Sequence, residues 1–264
     1  MDVSSWREAY LRLHEQAALK YLEVPYVYQI ARDELYEIDE TALAFLRACD
    51  GRQQGKALTS EGDFVEYCLA EDIVEALDRP APADITVNAP IDPSLRYLEL
   101  HLLHGCNLKC AHCYLGPART EEMAVADAVA VTRQFADMGG LRLLISGGEP
   151  LLYGDLPAYL AETADLSLRR VLFTNGTLLD AENAARLDVD EIQFSLDGWE
   201  NGHDALRGEG AFRRTMRGVE AARAAGTAVS FSTMIHRYNL DEFERMKAFM
   251  EQIGALEWGI DVLS

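Results

Sequence analysis

Strands and helices alternate regularly after about residue 94, and this alternation constrains the fold more than any other feature of the sequence. Six short runs have the length and aliphatic character of buried strands. They are Tyr97–Leu103, Leu141–Ser146, Arg170–Thr174, Glu191–Leu196, Ala228–Ile235 and Leu256–Leu263. Five helices are predicted between them, which gives an α/β fold with a parallel sheet, right-handed crossovers and an open or partial barrel. In such a barrel the functional loops follow the carboxyl ends of the strands.

The helices between these strands are predicted from apolar spacing and from capping residues. Helix starts are expected at Thr120, Asp155, Asp180 and Asn239, the last with a glutamate three residues on. The remaining helix is predicted over Gly210–Ala225.

A proline-rich stretch separates this pattern from a different one before it. Four of the eight prolines fall within Asp78–Pro93, and each restricts its own φ and the residue before it. We therefore interpret residues 79–93 as a linker between a small α+β domain, residues 1–78, and a barrel domain, residues 94–264.

The small domain is predicted to contain helices and two strands. The strands are Val24–Ile30 and Glu34–Asp39. Helical spacing predicts the helices Trp6–Leu22, Thr41–Ala48, Phe64–Leu69 and Asp72–Leu77. Cys49 and Cys68 each stand alone in a helical pattern, and we interpret both as core residues.

The charge and hydropathy patterns exclude several classes of protein. The 44 acidic residues outnumber the 24 basic ones, and a net charge of −20 disfavours non-specific nucleic-acid binding. The N-terminus lacks the basic-then-apolar order of a signal peptide, and no run of about 18 apolar residues could span a membrane. We expect a cytoplasmic protein without a membrane partner, in which thiols stay reduced.

Three of the five cysteines, Cys106, Cys110 and Cys113, follow the first predicted barrel strand. Thiolates at this spacing can converge on one centre, and soft ligands suit an iron–sulfur cluster. Three thiolates would leave one iron of a four-iron cluster without a protein ligand. Two alternatives stay open: a closed zinc site with His112 or His104 as fourth ligand, and three buried free cysteines.

The segment CNLKCAHC at the end of a first barrel strand resembles the Cys-X3-Cys-X2-Cys signature of the radical S-adenosylmethionine (SAM) superfamily. The resemblance implies a partial (β/α)6 barrel of the TIM type with a [4Fe–4S] cluster on Cys106, Cys110 and Cys113. It also implies that the amino and carboxylate groups of SAM chelate the open iron. Reduction by a donor such as flavodoxin or ferredoxin would cleave SAM to methionine and a 5′-deoxyadenosyl radical.

Three further segments resemble the cofactor-binding motifs of the same superfamily. Ser146–Pro150 resembles the GGEP motif, which implies that Gly147, Gly148 and Glu149 receive the methionine ammonium group; an ordinary turn is the alternative. The segments TNGT and SLDG, at the ends of the third and fourth strands, imply cofactor contacts for Asn175, Ser195 and Asp197.

Individual residues of these segments have competing interpretations. Asp197 could cap a helix or turn instead of contacting a ligand. Arg207 lies where peptide-modifying members carry an arginine toward the SAM carboxylate, and a solvated charge at a helix start is the alternative. Tyr114 and His112, beside the cluster cysteines, are candidates for packing on adenine.

The small domain resembles the PqqD-like peptide-recognition domain (RRE), a winged-helix module. The resemblance lies in YEIDETALAFLRACDGR, followed by FVEYCLAEDIVEAL. It implies that a leader peptide adds a strand beside an exposed edge, for which Glu34–Asp39 is the candidate. A generic winged helix is the alternative. The net charge of −10 over residues 1–90 argues against DNA and favours a leader bearing Lys or Arg.

Together these features predict a radical SAM maturase that modifies a ribosomally made precursor peptide. The alternatives are a maturase of a folded protein, a cofactor-pathway enzyme and a non-catalytic protein that recruits peptide for a partner. Related peptide maturases often continue into a cysteine-rich extension of the SPASM or twitch type, whereas this sequence stops at Ser264. We therefore expect either a truncated chain or a partner that covers the last strand.

Overall fold

The structure, a computed structural model, describes residues 5–90, 92–116 and 119–262. It divides into two units. The first comprises the described residues of Met1–Tyr97 together with Gln134–Leu141 and Leu166–Arg169. The second comprises Leu98–Arg133, Arg142–Asp165 and Arg170–Ser264, again as far as these ranges are described.

The first unit contains two three-stranded sheets and three helices. Its elements are β1 (Tyr10–Leu13), β2 (Ala17–Tyr21), β3 (Pro25–Gln29), β4 (Glu34–Glu37), α1 (Glu40–Ala48), β5 (Asp50–Gln54), α2 (Gly55–Leu58), α3 (Gly62–Ala70) and β6 (Val74–Leu77). The strand orders are β5-β1-β6 and β2-β3-β4, with antiparallel pairing throughout. The strands β3 and β4 and the helices α1 and α3 confirm the predictions at those positions.

The helix predicted over Trp6–Leu22 is wrong, because this segment forms β1 and β2 after a short 3-10 turn at Ser5–Arg7. Leu11 is fully buried in β1, and four of the five residues of β2 are buried. In so short a run, the spacing of the apolar residues is compatible with both a helix and a strand. The hydrogen bonds of β1 to both β5 and β6 favour the extended conformation over a helix.

The helical prediction for Asp72–Leu77 is also wrong. Val74–Leu77 is the strand β6, which pairs with β1 in a register that places Val74 opposite Leu13. Asp72 has a φ of 51°, a left-handed conformation that separates α3 from this strand.

Cys49 and Cys68 lie in the core of the first unit, as predicted, and are 0% and 1% exposed. They belong to one apolar cluster with Trp6, Leu46 and Val65. Burial raises the pKa of both thiols. The two cysteines are therefore inert core residues.

The proline-rich stretch packs along the first unit over its described part up to residue 90. It contains no helix or strand from residue 80 to residue 90. The main-chain N–H of Ala81 donates to the carbonyl of Gly51 at 3.1 Å, and Ile85 packs against the core. The side chain of Asn88 bonds both main-chain groups of Tyr21, at 2.6 and 2.9 Å.

The second unit continues the alternation of strands and helices that the sequence predicts. Its elements are β7 (Tyr97–His101), α4 (Val125–Asp137), β8 (Arg142–Ser146), α5 (Leu156–Glu162), β9 (Arg169–Thr174), α6 (Ala181–Ala184), β10 (Glu191–Ser195), α7 (Glu200–Arg207), α8 (Ala211–Ala224), β11 (Ala228–Ile235), α9 (Phe243–Ile253) and β12 (Trp258–Val262). A few end residues of these elements fall in the ranges counted with the first unit.

The six strands β7–β12 form one sheet in the order β12-β11-β10-β9-β8-β7. Strands β9 to β12 pair in parallel, for example with Ser195 of β10 opposite Ser232 of β11. All six predicted strands are present with small shifts at their ends, and Leu263, the predicted end of the sixth, lies outside the described residues. The sequential order places the carboxyl ends of the strands at one edge, where the loops carry the candidate site.

Two of the predicted helix starts are wrong, and one helix was missed. The helix α4 begins at Val125 instead of Thr120, because Glu122 forms a β-bridge with Leu103. The helix α9 begins after Glu242 instead of Asn239, which is fully buried and bonds neighbouring loops. The missed helix is α7.

The other helix starts agree with the sequence. Asp180 forms a capping box with Asn183 at the start of α6. Asp155 occupies the N-cap position of α5 but makes no capping hydrogen bond. Within the part of the chain that the structure describes, no helix is long and apolar enough to cross a membrane.

Candidate functional site

Cys106, Cys110 and Cys113 lie in the loop that follows β7 and line one cavity of about 1060 Å³ in the second unit. Cys106 and Cys110 are partly buried, and Cys113 is exposed. The main-chain N–H of Leu108 donates to Sγ of Cys106 at 3.4 Å, so that the loop folds back on its first sulfur. Burial raises the pKa of Cys106 and Cys110, and the nearby Arg207 cation opposes that rise.

This donor set fits a cluster better than a single ion. Among the described residues, no three His, Cys, Asp or Glu side chains converge closely enough to hold one metal ion. Neither His112 nor His104 belongs to such a group among the described residues. Thiolate ligands of a four-iron cluster bind separate iron atoms and need not converge on a point. The cavity is also large enough to hold an organic cofactor beside a cluster.

Gly147 and Gly148 allow the loop after β8 to pack tightly on the chain that leads into the cysteine loop. A Cβ atom on Gly147 would lie 2.5 Å from the carbonyl oxygen of Leu103, and one on Gly148 would lie 2.1 Å from that of Gly105. Gly147 also has a φ of 137°, which side-chain-bearing residues rarely adopt. Both glycines line the cavity, and the close approach seen in the structure is to protein backbone.

Glu149 is fully buried and links two loops of the site. Its carboxylate accepts hydrogen bonds from Thr174 Oγ1 at 2.6 Å, from the Asn175 main-chain N–H at 2.9 Å and from the Leu151 main-chain N–H at 3.2 Å. Burial raises the pKa of Glu149, and these hydrogen bonds oppose the rise. The structure thus gives Glu149 a structural role, and its contact with the ammonium group of SAM stays a prediction.

Asn175 belongs to a small ring of hydrogen bonds beside the first cysteine. Its Nδ2 donates to Oδ1 of Asn107 at 2.9 Å and lies 3.9 Å from Sγ of Cys106. Its Oδ1 accepts from the main-chain N–H and the hydroxyl of Thr177, and Asn107 Nδ2 donates to the same hydroxyl at 2.8 Å. The loop after β9 is therefore fixed to the cysteine loop, and the predicted contact of Asn175 with the cofactor stays a prediction.

Ser195 ends β10 and lines the cavity with side chains from the neighbouring strands. Gln193, Ser232 and Met234 line the same cavity from β10 and β11. This part of the wall is mainly neutral and polar, which suits hydroxyl-rich or amide groups.

Asp197 and Arg207 form a buried ion pair at the same cavity. Nε of Arg207 donates to Oδ2 of Asp197 at 2.5 Å, and the two side chains are 12% and 1% exposed. Burial alone would raise the pKa of Asp197, but Arg207, the Met234 N–H and His112 together hold that pKa below its usual value. Arg207 lies buried at the end of α7, so its alternative as a solvated charge at a helix start is wrong. Asp197 is not the N-cap of α7, and the contacts of both residues with a cofactor stay predictions.

Three histidines surround Asp197, and the sequence assigned none of them to this role. Nε2 of His112 lies 3.6 Å from Oδ2 of Asp197. His203 accepts from the main-chain N–H of Asp197 at 3.1 Å, and Nε2 of His236 lies 3.1 Å from its carbonyl oxygen. These residues come from separate segments, and no local motif signals that they meet. Tyr114, a predicted adenine contact, is 77% exposed.

Comparison of the sequence with models of known protein families identifies the family of this chain. The sequence model of the Radical SAM superfamily matches residues 100–250, which is more than half of the chain. The chain belongs to the radical SAM superfamily. Its six-stranded sheet is the curled parallel half-barrel of that fold, and radical SAM enzymes use a [4Fe–4S] cluster and SAM. The predicted barrel, cofactors and enzyme class are thereby confirmed.

Curated radical SAM relatives include proteins of two kinds. The AdoMet-dependent heme synthase of Nitratidesulfovibrio vulgaris is 34% identical over 180 residues, which cover 65% of this chain and 49% of the relative. The PqqA peptide cyclase of Gluconobacter oxydans is 33% identical over 167 residues, which cover 60% and 46%. The chain therefore spans about half the length of the curated relatives that it matches.

A solved structure resembles a larger share of this radical SAM chain. Streptococcus suis SuiB, bound to its precursor peptide SuiA, covers 96% of this chain with a TM-score of 0.72 and 17% sequence identity. The match covers 63% of the SuiB chain. At this identity the likeness concerns the fold alone.

Proposed function

We propose that the protein is a radical SAM maturase of a ribosomally made peptide. Its first unit, a PqqD-like peptide-recognition domain, binds the leader, while the cavity of the second unit receives the segment to be modified. The single observation that carries the proposal is the edge strand β4 of the sheet β2-β3-β4. The likeness to SuiB, a protein solved with its precursor peptide, supports it because the match extends over 96% of the chain.

The edge available to a leader is Glu34–Glu37, shorter than the Glu34–Asp39 of the sequence interpretation. The main-chain N–H of Ile38 donates to the carbonyl of Pro25, and Asp39 caps α1 by accepting from the N–H of Ala42 at 2.8 Å. Because hydrogen-bonded and non-hydrogen-bonded pairs alternate in an antiparallel ladder, the N–H groups of Leu35 and Glu37 point away from β3. These two donors can bind an added strand.

Side chains beside this edge favour a leader with apolar and basic residues. Tyr36 packs edge-on against Tyr67 of α3 with ring centroids 6.5 Å apart, and Tyr67 is 47% exposed. The Tyr36 hydroxyl donates to Glu34 and Glu71, and Arg32 binds Glu71 and the neighbouring Asp72. An apolar residue of the leader that packs on Tyr36 and Tyr67 would fix the register of the added strand. A lysine or arginine of the leader would pair with the nearby carboxylates.

In the second unit the chain's own residues hold and orient the cofactors. Cys106, Cys110 and Cys113 would ligate the cluster, while Ser195 and Arg207 would contact SAM. When bound, these cofactors supply hydrogen abstraction through reductive cleavage of SAM. The electron would come from a flavodoxin or ferredoxin. Cavity-lining residues of the inner strands, such as Gln193 and Met234, would meet the peptide segment.

Calorimetric titration with peptides encoded near the gene tests this function. We expect one of them to bind, and we expect Glu37→Pro to weaken that binding at least tenfold, because proline removes an outward N–H donor. Glu37→Ala is the matched control, since it removes the same side chain but keeps the donor. Equal affinity of the two variants, or no binding by any encoded peptide, would count against the assignment.

A cofactor-pathway enzyme is the second candidate, and the identity to heme synthases favours it. This function requires an iron porphyrin to bind in place of a peptide. Titration with heme, followed by its Soret absorbance, discriminates the two functions. Saturable heme binding that is lost when the cavity is narrowed by Ser232→Trp would favour the porphyrin. Peptide binding without a heme response would favour the maturase.

A further inference from the structure

Asp197 is among the most heavily bonded residues of the site, and every one of its polar atoms has a protein partner. Its Oδ1 accepts from the main-chain N–H of Met234 at 2.8 Å, and its Oδ2 accepts from Arg207. Its main-chain groups bond His203, His236 and Asn239. The residue therefore joins the ends of β10 and β11 to the helix α7.

Arg207 has hydrogen-bonding capacity that the protein does not use. Its Nε is bound to Asp197, and its Nη1 lies 4.0 Å from Sγ of Cys110. Among the described residues, Nη2 has no hydrogen-bond partner, and the side chain lines the cavity. A guanidinium held at Nε presents its remaining N–H groups in one fixed plane, the geometry that binds a carboxylate in a bidentate manner.

The same carboxylate also connects this arginine to the cysteine loop. Nε2 of His112, between the second and third cysteines, lies 3.6 Å from the Oδ2 atom that binds Arg207. The main-chain N–H of Ala111 donates to the carbonyl of Leu206 at 2.8 Å, next to Arg207 in the chain. The guanidinium is thus fixed relative to the cluster ligands through both side-chain and main-chain contacts.

We propose that Asp197 is a positioning residue that holds the Arg207 guanidinium for the carboxylate of SAM and does not itself contact SAM. The inference rests on the proposed role of this cavity in binding SAM. It differs from the sequence interpretation of Asp197 as a cofactor-binding residue. The side chain of Asp197 is 1% exposed and each of its carboxylate oxygens already accepts from a protein donor, so a contact with SAM would have to share or displace the bond to Arg207 or to Met234.

Comparing SAM with an analogue that lacks the carboxylate distinguishes a positioning role of Asp197 from a general structural role. The dissociation constants of SAM and of decarboxylated SAM are measured with the anaerobically reconstituted protein and with Asp197→Asn. The asparagine retains an oxygen for Met234 but turns an N–H group toward Nε of Arg207, so that the guanidinium is released. We expect about tenfold weaker SAM binding and less than a twofold change for decarboxylated SAM.

Two comparisons complete the test. Asp204→Asn is the matched control, because Asp204 lies on the same helix but its carboxylate accepts from the main-chain N–H groups of Gly210 and Phe212. Its effect should be equal for both ligands. In a double-mutant cycle, Asp197→Asn should add nothing to Arg207→Gln, since both remove the same contact.

The outcomes distinguish this inference from the proposed function. Equal weakening of both ligands by Asp197→Asn, or additive effects with Arg207→Gln, would overturn the positioning role while leaving SAM binding intact. Failure of the unaltered protein to bind SAM would overturn the proposed function and the inference with it. If Asp197→Asn does not retain iron, Arg207→Lys takes its place, and the same selective loss for SAM is expected.

Discussion

Glu149 and Thr174 are joined by a buried hydrogen bond of 2.6 Å from the threonine hydroxyl to the carboxylate, which links the loops after β8 and β9. Glu149→Ala leaves this hydroxyl and the N–H of Asn175 without their acceptor. We expect a loss of about 3 kcal/mol in the free energy of unfolding. Urea denaturation of the cluster-free protein measures it. The exposed Glu220→Ala should change stability by less than about 0.5 kcal/mol, and a loss of that small size for Glu149→Ala would contradict the linking role.

The cysteines of the two units should respond differently to substitution. Cys106→Ala, Cys110→Ala and Cys113→Ala should each abolish bound iron and the visible absorbance of the reconstituted protein. Cys49→Ala should retain iron and lose about 1 kcal/mol of stability, because it leaves a small cavity in the first unit. Iron analysis and denaturation of all four variants check the contrast, and iron loss in Cys49→Ala would refute it.

The stability of the second unit should depend on pH through His203. Burial lowers the pKa of His203 from 6.5 to about 4, assisted by Arg207 and opposed by Asp197 and Asp204. The unfolded chain binds a proton below about pH 6.5 that the folded chain does not, so stability is full above that pH and falls toward pH 4. The full effect is about 3 kcal/mol.

His203→Gln tests this dependence, because glutamine cannot take up the proton. Its unfolding free energy should vary less between pH 6.5 and pH 4 than that of the unaltered protein. Parallel pH profiles for the unaltered protein and His203→Gln would show that another group is responsible.

The N-cap of α1 should matter for stability and not for peptide binding. Asp39→Ala removes the acceptor for the N–H of Ala42 and should lower the unfolding free energy by about 1 kcal/mol. The leader affinity should stay within about twofold, because Asp39 lies outside the outward-facing donors of β4. Thermal denaturation and calorimetry on the same variant measure both quantities. A large loss of affinity would extend the edge back to the predicted Glu34–Asp39.

Sequence reasoning located those parts of the site that depend on local pattern. Cys106 and Gly147 are placed by short motifs in the loops after β7 and β8, and the strands are recognisable as short aliphatic runs that alternate with helices. The segment Trp6–Leu22 lacked that context, and its first strand, β1, pairs with Gln54 and Leu77, far along the chain. Local spacing carries no information on such pairing.

The environment of Asp197 could not be predicted for a related reason. Asn239 has the spacing of a helix cap, and only the folded structure brings its Nδ2 to 2.7 Å from the Asp197 carbonyl oxygen. His203 lies in α7, a helix that the sequence analysis did not predict, and its contact with Asp197 follows from the position of that helix. A contact such as that between Asp197 and Asn239, 42 positions apart, depends on the pairing of β10 with β11 and leaves no periodic signal.

Cleavage of SAM by the anaerobically reconstituted and reduced protein tests the central claim most directly. The products are quantified by liquid chromatography and mass spectrometry, with iron content determined on the same sample. We predict about four irons per chain and formation of 5′-deoxyadenosine and methionine in equal amounts, with neither in Cys106→Ala. A protein that holds its full iron content and binds SAM but forms no 5′-deoxyadenosine would contradict the account.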